Sequence, residues 1–225
     1  MKPNNFLAGI KKPWMPYVCP FAIFMLFTGL GQYFPSMSYH FYVIKTVLVA
    51  ALLLYFRKDY QQDLSGYFNL RIWLESILAA IIVLGIWILP ENLLPTIGTP
   101  SGFNPTAFGL SWPSETVVLA IRLLGAAIVV PIMEELFWRS FLMRYLIHPN
   151  FQAVRLGAFS WFSFLSVTFL FGLEHYRIIQ GIIAGAIFSL LVIRQKSLKG
   201  AIISHGVTNL GLGIYVMSTG SWHFW

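Results

Sequence analysis

The 225-residue sequence is short of charge, with Asp, Glu, Lys and Arg making up 10% of it, against about a quarter in a soluble domain. With 57% hydrophobic residues in repeated long runs, that scarcity excludes an ordinary soluble fold. Cysteine is nearly absent. Cys19 alone rules out an internal disulfide and a cysteine metal cluster, and its place in the first apolar run reads as packing. Internal repeats, low-complexity tracts and polar stretches long enough for a separate domain are also missing. Acids are scarcer than bases, 8 against 15, which gives a net charge of +7. The excess does not point to nucleic acid, and no such partner is expected. Most of these bases lie in short loops beside apolar runs, where they set membrane orientation. The first apolar run is too long for a cleaved leader and has no small-residue cleavage site, so it reads as a retained span.

What is present is an all-α pattern. The apolar runs predict spans at 14–33, 39–56, 72–94, 116–147, 156–172, 178–193 and 201–217. We therefore expect a polytopic membrane helical bundle of seven or eight transmembrane helices, at least one broken or re-entrant. The bases Lys2, Lys11 and Lys12 place the N-terminus in the cytoplasm. The chain reads as one membrane domain, with N-terminal helices over 1–114 and a polar-marked core over 115–217.

Ionisable residues at membrane depth cost several kcal/mol, roughly 2.5–3.5 on insertion scales, and need a reason. Three stand within six residues in Pro131-Ile132-Met133-Glu134-Glu135-Leu136-Phe137-Trp138-Arg139. On a helix Glu135 and Arg139 are i and i+4, the acid N-terminal to the base, which favours an ion pair. Glu134 points about 100° away and is free to handle protons, or is a spare acid beside a structural pair. Pro131 is expected to kink or restart the helix. Two further clusters follow: Phe171 and His175 at i and i+4, then His205 and Asn209 at the same spacing. Glu174 has no evident role. Lys45, Glu75 and Arg122 read as structural charges pairing inside the bundle, Glu75 with Arg122. A plain count of seven spans puts Glu134 and His175 at opposite faces, whereas splitting the fourth span at Pro131 brings them together but sends the basic loop 194–199 to the outer face.

The ordered set Glu-Glu-x-x-x-Arg, Phe-x-x-x-His and His-x-x-x-Asn resembles the CPBP family, the CAAX-prenyl-endopeptidase and bacteriocin-processing intramembrane proteases. The likeness covers about residues 115–215 with all three motifs complete. The run Met-Glu-Glu-Leu-Phe-Trp-Arg also resembles the bacterial branch found with exosortase sorting systems. The resemblance implies a metal-independent glutamate endopeptidase that cuts a protein or peptide substrate near its C-terminus or membrane end. It makes Glu134 the base that activates water, His175 its assistant and His205 with Asn209 the oxyanion hole, with Glu135 and Arg139 in support. No cofactor is implied. Two histidines and a glutamate are also zinc ligands, although no His-Glu-x-x-His helix is present. A non-catalytic scaffold or immunity-type protein of the same fold, and a small-solute transporter, are the rival classes. The missing repeat weakens the transporter reading.

Overall fold

The computed structural model describes residues 12–91, 93–98, 102–105, 109 and 112–225. Lys2 and Lys11, on which the orientation of the N-terminus partly rests, lie outside the described residues. The described chain is helical and contains no strand. Helices α1 (Met15–Tyr33), α2 (Ser38–Tyr55), the single turn α3 (Gln61–Leu64) and α4 (Leu70–Ile88) form the first half. The second half holds α5 (Pro113–Tyr145), α6 (Trp161–Leu173), α7 (Ile178–Gln195) and α8 (Lys199–Thr219). Among the described residues, all but α3 and α6 are long and apolar enough to cross a membrane, which makes six. The thirteen-residue α6 is the shorter seventh.

The burial pattern is inverted relative to a soluble protein. Large apolar side chains such as Leu26, Leu54, Leu78, Ile81 and Leu165 face outward, while Glu134, Glu135, Arg139, Gln180, Ser189 and Ser204 are buried. A bilayer is the solvent that makes this pattern stable, because it accepts the apolar exterior and leaves polar groups to satisfy one another within. The chain is an integral membrane protein.

The ends of the elements have identifiable causes. The Asn69 side chain accepts the Ile72 N–H at 2.9 Å and starts α4. Lys196 and Gly220 adopt left-handed backbone and stop α7 and α8. Gly157, at φ 73°, turns the chain ahead of α6, and Lys196 Nζ donates to its carbonyl at 2.6 Å. That turn explains why α6 begins at Trp161 rather than near Leu156. Likewise α4 ends at Ile88, short of the expected Leu94, because the chain turns at Leu89–Pro90.

Prolines inside two helices leave carbonyls without their intrahelical donors. Pro20 in α1 offers no N–H to the Pro16 carbonyl, and the Tyr60 hydroxyl donates to it instead at 2.5 Å. Pro131 in α5 is accommodated differently. The helix is not split: the break takes the form of a π-helical turn over Gly125–Val129, and a second π-helical stretch covers Leu136–Leu142.

The conflict between the spans resolves without an eighth crossing. α5 has 33 residues and extends about 50 Å, whereas α6 with 13 residues extends about 20 Å at 1.5 Å per residue. The long helix carries Glu134 deep and the short one stops early, so His175 meets it inside the bundle. One end of the bundle gathers Arg57, Lys58, Arg155 and Lys196. There Lys199 Nζ donates to the Gly66 carbonyl at 2.5 Å, and Arg144 pairs with Asp63 at 2.9 Å. The other end joins Gln32 to the Tyr176 hydroxyl at 2.8 Å and the Ile97 amide to the Tyr176 carbonyl at 2.9 Å.

Candidate active site

Glu134 and Glu135 lie on α5 between its two π-helical stretches, His175 just past the end of α6, and His205 and Asn209 on α8, the helix that packs against α4, α5 and α7. Close approach of α6 and α7 depends on small residues. A Cβ on Gly181 would stand 3.0 Å from the Gly172 Cα and 3.3 Å from His175 Nδ1, so glycine there lets the imidazole sit against α7.

The expected pair forms. Arg139 Nη1 donates to Glu135 Oε1 at 3.0 Å, with both side chains fully buried. Arg139 also donates through Nη2 to the Gly185 carbonyl at 3.2 Å and lies over Phe171, 4.3 Å from the ring centre. The same Glu135 oxygen lies 3.0 Å from His205 Nδ1. A carboxylate can only accept, so Nδ1 carries the proton and Nε2 faces the other way. That nitrogen is 3.9 Å from Glu134 Oε2. Arg139, Glu135, His205 and Glu134 therefore form a line of alternating basic and acidic side chains. Phe188 stacks on the His205 ring, with centroids 4.9 Å apart and planes 17° apart.

His175 Nδ1 lies 2.8 Å from the Phe171 carbonyl. The carbonyl accepts, which leaves His175 Nε2 bare in the neutral ring. The Phe171 ring flanks the imidazole as the spacing predicts, at 4.9 Å, and Trp87 meets its other side edge-on at 5.3 Å. Asn209 Nδ2 donates to the Ala126 carbonyl at 2.9 Å. In the π-helical register Val130 N–H bonds the Gly125 carbonyl, so the next donor in line is Pro131, which has none. Asn209 fills that vacancy and keeps a second amide hydrogen. Glu134, His175, His205 and Asn209 all line one cavity of about 200 Å³. The structure brings Glu134 and His175 to one cavity without a direct hydrogen bond between them.

The remaining charges are also placed. Glu174 accepts from Trp138 Nε1 at 3.1 Å and does not bond the His175 ring. Glu75 pairs with Arg71 and Arg194, each at 2.9 Å, and not with Arg122. The correction has a simple cause. Glu75 sits one turn into α4 at the basic end, and Arg122 lies near the opposite end of α5. Among the described residues no three His, Cys, Asp or Glu side chains gather in a group that could hold a metal ion. Phe188 and Trp87, which frame the two imidazoles, carried no signal in the sequence, because an aromatic residue in an apolar span is indistinguishable from packing. The same holds for Asp63. It accepts from Tyr17 and Ser140 at 2.7 Å each, and with Arg144 it ties the loop before α4 to the end of α5.

Residues 116–211 match the type II CAAX prenyl endopeptidase Rce1-like family, a stretch that contains every residue of the cavity cluster. That segment of the chain is similar to the Rce1-like peptidases. No curated protein and no solved structure matches the chain. The family agrees with the resemblance read from the three motifs, and the matched domain starts three residues into α5.

Proposed function

We propose that the Rce1-like domain is an intramembrane glutamate endopeptidase that hydrolyses a peptide bond near the C-terminus or membrane end of a protein or peptide. The observation that supports it best is the convergence of Glu134, His175, His205 and Asn209 on one cavity, with Glu134 free of an ion pair to Arg139. Amide hydrolysis needs a base for water and donors aimed at the developing oxyanion. Glu134 takes a proton from a cavity water as it attacks the scissile carbonyl, and the bare Nε2 of His175 accepts the water's other hydrogen bond. The oxyanion is met by the second Asn209 amide hydrogen and by a ring N–H of His205, which lies between Glu134 and Glu135. Glu134, now a carboxylic acid, returns its proton to the departing amine. Glu135 and Arg139 act through His205 and do not touch substrate.

The finer setting is part of the same reading: a bacterial inner membrane, the basic end of the bundle in the cytoplasm, and a substrate presented by an exosortase-type sorting system. The test is cleavage of candidate tail peptides by purified protein in detergent. Glu134→Gln keeps the size and removes the base, so it is expected to abolish cleavage with folding intact. If wild type and Glu134→Gln cleave equally well, the glutamate-base mechanism is wrong.

A further inference from the structure

Two cations that line a lobe of the cavity have, among the described residues, no carboxylate within ion-pair distance. Lys45 on α2 is buried, donates to Thr28 Oγ1 at 2.7 Å, and lies 4.1 Å from the Phe24 ring centre and 4.9 Å from that of Tyr42. Arg122 on α5 lies over the other neighbours of the same ring. Its guanidinium is 4.3 Å from the Tyr42 centroid, 4.8 Å from Phe103 and 5.4 Å from Trp225. Its Nε is buried without a hydrogen-bond partner. Both line a lobe of about 320 Å³ that shares Phe24, Tyr42, Arg122, Glu134, His175 and Trp225 with the cavity of the candidate active site. Glu134 and Glu174 also face this lobe, and among the described residues no carboxylate lies within ion-pair distance of Lys45 or Arg122.

Aromatic faces steady a cation but do not neutralise it, and an uncompensated charge at membrane depth marks a pathway or a ligand. Neither residue belongs to the three motifs. Lys45 stands outside the matched domain altogether, on a helix that the domain packs against through Tyr42, whose hydroxyl donates to the Arg122 carbonyl at 3.1 Å. An occupant of this lobe reaches the candidate active site without leaving the cavity. We infer that Lys45 and Arg122 form an anion subsite for the free C-terminal carboxylate of the peptide tail, fixing how far the scissile bond lies from the substrate's end. This rests on the peptidase reading. It also assigns a role to the N-terminal helices, which contribute one half of the subsite.

The experiment is a binding measurement and needs no turnover. The purified protein in a non-ionic detergent is titrated with N-acetyl-Leu-Val-Phe carrying a free carboxylate or a carboxamide. Wild type is expected to bind the acid at least about tenfold tighter, the discrimination a single well-placed charge pair supplies. Lys45→Met and Arg122→Met, each checked for an unchanged unfolding midpoint, are expected to bind acid and amide alike. Wild type that binds both forms alike, or neither, overturns the subsite. A separate arm titrates phosphatidylglycerol against phosphatidylcholine. Lipid binding that depends on Lys45 while acid and amide peptides bind alike assigns the anion to a headgroup and also overturns it. An acid preference in a protein whose Glu134→Gln variant shows no altered chemistry keeps the subsite and sinks the mechanism, and cleavage indifferent to the terminal carboxylate does the reverse.

Discussion

At the scale of single residues the site turns on Glu135, which accepts from Arg139 and from His205 through the same oxygen. Removing one member of a buried ion pair leaves the other uncompensated, at a cost of about 3–5 kcal/mol. Arg139→Ala is therefore expected to lower the unfolding midpoint in detergent, the yield of folded protein and the cleavage rate together. Glu135→Gln combined with Arg139→Met removes both charges and is expected to regain most of the stability while activity stays low, because His205 has lost the carboxylate that orients it. A stable and fully active Arg139→Ala protein would disprove the supporting role. The first of these contacts was legible in the sequence, since i and i+4 on a helix meet by geometry. The second was not. His205 lies 70 residues further on, and no spacing rule reaches across helices.

At the scale of the element, α5 shows how an irregular helix is held. The π-helical turn before Pro131 leaves the Ala126 carbonyl without a donor, and Asn209 of α8 supplies one. The neighbouring Ala127 carbonyl faces Gly206, where a Cβ would approach it to 2.7 Å. Asn209 thus serves α5 as well as the cavity, and the two roles separate by mutation. Asn209→Ala is expected to cost about 1–3 kcal/mol by leaving a buried carbonyl unsatisfied, and on the order of 10²–10³ in rate by removing an oxyanion donor. Adding Pro131→Ala restores a backbone N–H to the ladder, so the double variant is expected to recover the unfolding midpoint but not the rate. Recovery of both would confine Asn209 to a structural role. From the sequence, Pro131 announces an irregularity in α5. Its form depends on groups that α8 delivers, so the sequence offered a kink or a restart and not the π-helical turn that forms. The length of α6 was hidden in the same way, because Gly157 acts as a turn only where Lys196 closes on its carbonyl.

At the scale of the whole molecule, the six long helices and the short α6 make seven passes through the bundle, which puts the two ends of the described chain at opposite ends of it. Residue 12 lies at the end rich in lysine and arginine. The C-terminal segment lies at the other, where the Trp225 ring stands 5.4 Å from the Arg122 guanidinium and His223 bonds Glu91. Composition alone implied a bundle, and the basic loops implied its orientation, but the count stayed open between seven and eight because the sequence does not show that α5 and α6 differ in length by twenty residues. Seven passes through the bundle keep Arg57, Lys58, Arg155 and Lys196 at one end, as the rule relating positive loops to the cytoplasm requires, and still bring His175 to Glu134. The consequence is measurable with single cysteines in a Cys19→Ser background. A cysteine at Ser221, half-buried near the C-terminus, is expected to react with a membrane-impermeant maleimide in intact spheroplasts. One at Lys58, exposed in the loop after α2, is expected to react only after the membrane is opened. The reverse pattern would invert the bundle, and labelling of both from the same side would require an even number of crossings and undo the route by which the short α6 meets the long α5. With the expected pattern, the lobe that holds Lys45 and Arg122 lies toward the face opposite the basic loops, and a tail seated there reaches Glu134 from the outer half of the membrane.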